Sequence, residues 1–151
     1  MKEMKVLLVD DEEEFVKALA ERMKMREVES DVALSGEEAL KTMDEDLPDV
    51  MVLDLKMPGM DGMEVLRRAK EAYPGVQIIM LTGHGSEKDE KEARRLGVFE
   101  YLQKPVAIEK LMKTITEAYK NKFQDTMSAA AFAEAGEFDT AKEILDRGKK
   151  K

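Results

Sequence analysis

The chain has 151 residues, 43% apolar and 38% charged, with a formal net charge of −8 and no cysteine. That length suits one domain with a full core and a heavily solvated surface. The missing cysteines exclude a disulfide framework and fit a reducing compartment, and the acidic balance disfavours indiscriminate binding to nucleic acid or anionic lipid.

In chain order, the opening MKEMKVLLVDDEEEF carries an apolar run too short for a signal peptide or a membrane span, so a cytoplasmic chain without membrane insertion is expected. Residues 5–9 are predicted as a buried strand that ends at Asp10 and Asp11. Phe15, Leu19, Arg22 and Met23 then follow a helical stripe, with Arg22 at its edge. Residues 28–34 form a second strand, and the S-x-x-E pattern from Ser35 to Glu38 caps a helix carrying Ala39, Leu40 and Met43. The run VMVL (50–53) is a third strand, with Asp54 at its end and a Pro58-Gly59 turn soon after. A helix from Met63 to Tyr73 places Val65, Leu66 and Ala69 on one face and stops at Pro74-Gly75. The strand at 76–81 leads to Thr82, and a helix from Ser86 to Leu96 ends at Gly97, a C′ glycine. The strand at 99–103 leads to Lys104, and a helix from Ala107 to Lys122 carries Ile108, Leu111, Ile115 and Ala118.

Strict alternation of five strands and five helices implies right-handed βαβ crossovers and a doubly wound α/β fold. In such sheets ligands sit beyond the carboxyl ends of the strands. Asp10, Asp11, Asp54, Thr82 and Lys104 all fall at that rim, and every strand except the second supplies one of them. Converging carboxylates raise one another's pKa unless a cation sits among them, and hard oxygen ligands without a His or Cys cluster point to Mg²⁺. A metal, a lysine and a hydroxyl around one carboxylate make a pocket for a tetrahedral anion attached to it. Carboxylates are nucleophiles toward phosphoryl groups, giving aspartyl phosphates.

The set DD, D-x-x-M-P-x-x-D-G, T-G and K-P at these strand ends resembles the receiver domain of bacterial two-component response regulators, over about residues 4–122. The resemblance implies a flavodoxin-like five-stranded parallel sheet in order 2-1-3-4-5. It implies that Asp54 is the phosphoacceptor and that Asp11 and Asp54 bind Mg²⁺ directly. Asp10 would bind through water, and the carbonyl of Lys56 would add a ligand. Thr82 would hydrogen-bond the phosphoryl and Lys104 would pair with it. Tyr101 matches the switch aromatic that turns inward as Thr82 moves, although an aromatic in a short strand also serves plain packing. The Lys104–Pro105 bond resembles one that the family holds cis. Lys56 and His84, two residues after Asp54 and Thr82, match positions that tune aspartyl-phosphate lifetime. His84 also reads as an ordinary loop residue. The implied partners are a histidine kinase or phosphotransfer protein and an unidentified downstream protein.

The division expected is a receiver at 1–122 and a helical extension at 123–151 that is too short for a DNA-binding output module. Phe123, Met127 and Ala131 mark one helical piece of the extension. A break at Gly136 precedes a second piece, capped by Asp139 and bearing Ala141, Ile144 and Leu145. The stretch AEAGEFDTAKEIL weakly resembles half of a tetratricopeptide-type hairpin, which cannot bury its own apolar face. It packs back on the receiver or mediates dimerisation or docking. Two functions remain at this level. One is a stand-alone, non-enzymatic phosphorylation switch, with only self-phosphorylation from small donors and autodephosphorylation. The other is a phosphorylation-independent adaptor acting through the tail.

Overall fold

Apolar runs and amphipathic stretches alternate along the chain as β1 (Val6–Val9), α1 (Glu13–Lys24), β2 (Ser30–Ala33), α2 (Gly36–Glu45) and β3 (Val50–Leu53), then α3 (Gly62–Ala72), β4 (Gln77–Thr82), α4 (Glu87–Arg95), β5 (Glu100–Gln103) and α5 (Ile108–Glu134). This computed structural model describes residues 4–134, and side chains through residue 122. The five strands form one parallel sheet in the order β2-β1-β3-β4-β5, as the resemblance implied.

The pleat sends alternate side chains to opposite faces. Leu7, Val9, Met51, Leu53, Ile78 and Met80 pack with Ala39, Met43, Val65, Leu66 and Ala69 of α2 and α3 and with Ala93 of α4. Val6, Leu8, Val50, Val52, Ile79 and Leu81 pack with Val16 and Met23 of α1 and with Leu111, Ile115 and Ala118 of α5. Strands β1, β3 and β4 are covered on both faces, which is why their sequences are continuously apolar. The edge strands β2 and β5 keep part-exposed positions, which explains their mixed sequences.

Three local details differ from the sequence pattern. The buried positions of α1 are Val16 and Met23, whereas Phe15 is 37% exposed. Leu19 packs on the core and Met23 is buried as the pattern implied, but Val16 takes the place expected of Phe15 at the start of the stripe. At α2, Ser35 Oγ accepts from Glu38 N at 3.1 Å, but the Glu38 carboxylate reaches Leu34 N at 3.3 Å instead of closing the box on Ser35. Helix α5 runs past Lys122 to Glu134 without interruption, so the first expected tail piece continues α5. The second piece, from Asp139 onward, and the basic RGKKK end lie outside the described residues.

Register fixes the rim. Val9 pairs with Leu53, and Leu53 pairs with Met80. The ladder then extends one residue further, with Asp10 N donating to Ala33 O at 3.1 Å and Asp54 N to Val9 O at 2.9 Å. Lys104 N donates to Thr82 O at 3.0 Å, tying the ends of β4 and β5. Four polar residues are thus delivered to one edge by backbone geometry alone.

Candidate functional site

Asp54 follows β3 and is only 2% exposed. Its Oδ1 accepts from the adjacent Leu55 N at 2.9 Å, which leaves the rest of the carboxylate facing its neighbours. Asp10 follows β1 beside it and is also buried. Asp10 Oδ1 accepts from Glu12 N at 2.9 Å, and Asp10 Oδ2 accepts from Lys104 Nζ at 2.7 Å. Glu12 Oε1 accepts from the same ammonium at 3.1 Å, and that ammonium lies 4.2 Å from the centroid of the Phe15 ring.

Oxygens of Asp10, Glu12 and Asp54 lie within 4.8 Å of one another. Asp11 is exposed and lines the adjoining cavity of about 380 Å³ together with Glu12, Asp54, Lys56 and His84. Asp11 was expected to meet Asp54 directly through a metal. In this structure the close carboxylate partners of Asp54 are Asp10 and Glu12, with Asp11 in the cavity wall. Sequence reasoning did not single out Glu12. The available signal was its position directly after two rim aspartates.

Thr82 is fully buried at the end of β4, and its Oγ1 accepts from His84 N at 3.1 Å. Lys56 and His84 are exposed and face the cavity from the loops after β3 and β4. Tyr101 lies within the core, 6% exposed, and its hydroxyl has no hydrogen-bond partner among the described residues. The Lys104–Pro105 peptide is cis, as the resemblance implied.

Burial pushes the Asp54 carboxyl above the ordinary carboxylate range, and the charge of Asp10 pushes it further. Lys104, the Thr82 hydroxyl and the Leu55 amide pull the other way without cancelling these effects. Lys104 loses hydration on burial, but Asp10, Asp54 and Glu12 outweigh that loss and hold its ammonium above the usual lysine range. A buried carboxylate raised in this way lacks compensating positive charge. The donor set around it is oxygen only, with no histidine or cysteine in the cluster, which suits a hard divalent cation such as Mg²⁺. Chemically, the arrangement offers a carboxylate nucleophile on an open cavity, a lysine beside it and a buried hydroxyl.

Residues 6–116 match the family described as response regulator receiver domain. The transcriptional regulatory protein GlrR of Escherichia coli K12 is 36% identical over 113 residues, covering 75% of this chain and 26% of that protein. The luminescence regulatory protein LuxO of Vibrio campbellii is 34% identical over 93 residues, covering 62% of this chain and 20% of that protein. The chain therefore spans about a quarter or less of the length of these curated relatives. Among solved structures, a receiver domain protein from Clostridium thermocellum superposes with a TM-score of 0.76 at 34% identity, covering 80% of this chain and 98% of that one. A CheY-like receiver domain protein from Methanospirillum hungatei JF-1 gives 0.78 at 25% identity, covering 81% and 98%.

Proposed function

Because the chain belongs to the response regulator receiver family of two-component systems, we propose that Asp54 accepts a phosphoryl group from a histidine kinase or phosphotransfer protein. The observation that carries this reading is the buried Asp54 carboxylate, raised in pKa, on a cavity beside Lys104 and Thr82. An Asp54 oxygen attacks phosphorus while the bond to the donor breaks, and the charge then rests on the phosphoryl oxygens. Lys104 leaves its pairing with Asp10 and Glu12 to meet that charge. Thr82 gives its hydroxyl proton to a phosphoryl oxygen. Asp10, Asp11, Glu12, Asp54 and the carbonyl of Lys56 would hold Mg²⁺. The ion supplies positive charge that offsets the carboxylates and the phosphoryl.

The output of this reading is a change in protein contact, transmitted by Thr82 and Tyr101 to the face formed by α4, β5 and α5. The downstream partner is a protein, the location is the cytoplasm, and DNA is not the ligand of this unit. Lys56 and His84 flank the path of the water that hydrolyses the aspartyl phosphate. Exchange of both residues should change the dephosphorylation rate, and an unchanged rate removes them from that role.

Incubation with Mg²⁺ and acetyl phosphate should add one phosphoryl mass. Asp54→Asn should abolish the addition. Labelling that survives this change would overturn the assignment. A second reading, an adaptor acting through the helical extension without phosphorylation, is favoured by the continuation of α5 to Glu134. It predicts partner capture that is indifferent to both beryllofluoride and Asp54→Asn.

A further inference from the structure

Gly85, in the loop between β4 and α4, has no need of glycine's backbone freedom. Among the described glycines only Gly59 and Gly97 have positive φ. What Gly85 lacks is room. A Cβ built there would lie 1.5 Å from the Tyr101 hydroxyl oxygen, 2.8 Å from the ring carbon that bears it, and 3.1 Å from the Thr82 methyl. Real side chains do not approach so closely, so any larger residue at 85 must displace the ring or the loop. Gly83, two positions earlier, shows the contrast. A Cβ there meets only the Lys104 stem, at an ordinary 3.8 Å.

We propose that Gly85 is a positioning residue: it alone admits the Tyr101 ring beneath the β4–α4 loop, where the ring braces Thr82. This deepens the assignment of Thr82 and Tyr101 made above and rests on it. Tyr101 occupies this inward site in the structure, 6% exposed. Two features keep that position reversible. The Tyr101 hydroxyl is buried without a partner among the described residues, a cost that outward rotation relieves. Gly85 itself is only part-buried, and once the ring has left, the closest remaining contact of a methyl there is the Thr82 methyl at 3.1 Å.

The test uses the full chain and reads tyrosine exposure by nitration with tetranitromethane, mapped by mass spectrometry, before any phosphodonor is added. In the parent protein Tyr101 should react more slowly than the part-exposed Tyr119. In Gly85→Ala its rate should rise to match Tyr119, and in Gly83→Ala it should not change. A Tyr101 rate in Gly85→Ala that stays at the parental value would overturn the proposal. Folding is controlled by urea midpoints. Gly85→Ala should lower the midpoint in the presence of Tyr101 but not in a Tyr101→Leu background, whose side chain does not reach the loop. An equal loss in both backgrounds would also overturn it. Because neither measurement needs phosphorylation, failure here is separable from failure of Asp54 as phosphoacceptor. Beryllofluoride titration then reads the consequence. Gly85→Ala should bind more weakly than Gly83→Ala, because Thr82 has lost its brace, and equal affinity would refute that coupling.

Discussion

Burial and the charge of Asp10 both favour the protonated form of Asp54 in the folded chain. In the unfolded chain the same carboxyl loses its proton in the ordinary range near 3.8. Below that range the group is protonated in both states and costs nothing. As pH rises through the folded-state value, the unfolded chain holds fewer protons and is favoured, so stability is lost. Asp54→Asn should therefore stabilise the metal-free protein near neutral pH by on the order of 1 kcal/mol. Urea unfolding at about pH 7 and about pH 4 should show the gap narrowing at the lower pH. Added Mg²⁺ should raise the unfolding midpoint of the parent and leave that of Asp54→Asn nearly unchanged, since a ligand stabilises only the state that binds it. A variant no more stable than the parent at neutral pH would contradict this account of the site. Asp10, Asp54, Thr82 and Lys104 were legible as rim residues because each ends a strand, apolar for the first three and mixed for Lys104, and a parallel sheet aligns strand ends. Glu12 was not, because its place beside Lys104 depends on how the loop after β1 turns. The rotamer of Tyr101 was not legible either, because it depends on the space left by Gly85, which is distant in sequence.

At the scale of elements, α4 is the helix with least packing to hold it. Its sequence EKDEKEARR buries only Ala93. Its start is fixed by a full capping box: Ser86 Oγ accepts from Asp89 N at 3.2 Å, and Asp89 Oδ2 accepts from Ser86 N at 3.0 Å. Ser86→Ala should cost about 1 kcal/mol. Hydrogen exchange should locate the loss in the α4 amides, with those of β3 unaffected. A uniform rise in exchange would mean that α4 opens only with the whole domain. After α1, the chain passes through Glu27 at φ 64°, the one described non-glycine residue in the left-handed region. Glu27→Gly should raise stability by about 0.5–1 kcal/mol, read as a higher urea midpoint, because glycine meets no Cβ penalty there. Helix starts such as Ser35 and Ser86 were legible in the sequence because capping chemistry is local. The place of Phe15 in α1 was not. Phe15 is the bulkiest apolar residue of its segment, yet it lies one position off the buried stripe, with its ring beneath Lys104.

For the whole molecule, the two faces of the sheet are closed by different helices. Among the described side chains of α5, the buried ones are Leu111, Ile115 and Ala118. The last described side-chain ties to the sheet end are Asn121 Nδ2 to Gln77 Oε1 at 3.2 Å and Lys122 Nζ to Asp49 Oδ1 at 2.9 Å. A chain ending at Lys122 thus keeps every described buried side chain and every described polar tie. It should unfold at the same urea midpoint as the full chain and accept phosphoryl from acetyl phosphate at the same rate. A lower midpoint would show that residues 123–151 pack on their own receiver and contribute to its stability. Light scattering on the two chains tests the other use of the extension. If α5 beyond Lys122 joins two copies, the longer chain should be a dimer and the shorter one a monomer. Two monomers with equal midpoints would leave docking to a different protein as the role of the extension. That outcome would set the adaptor reading against the phosphorylation switch in a single further experiment, partner capture with and without beryllofluoride.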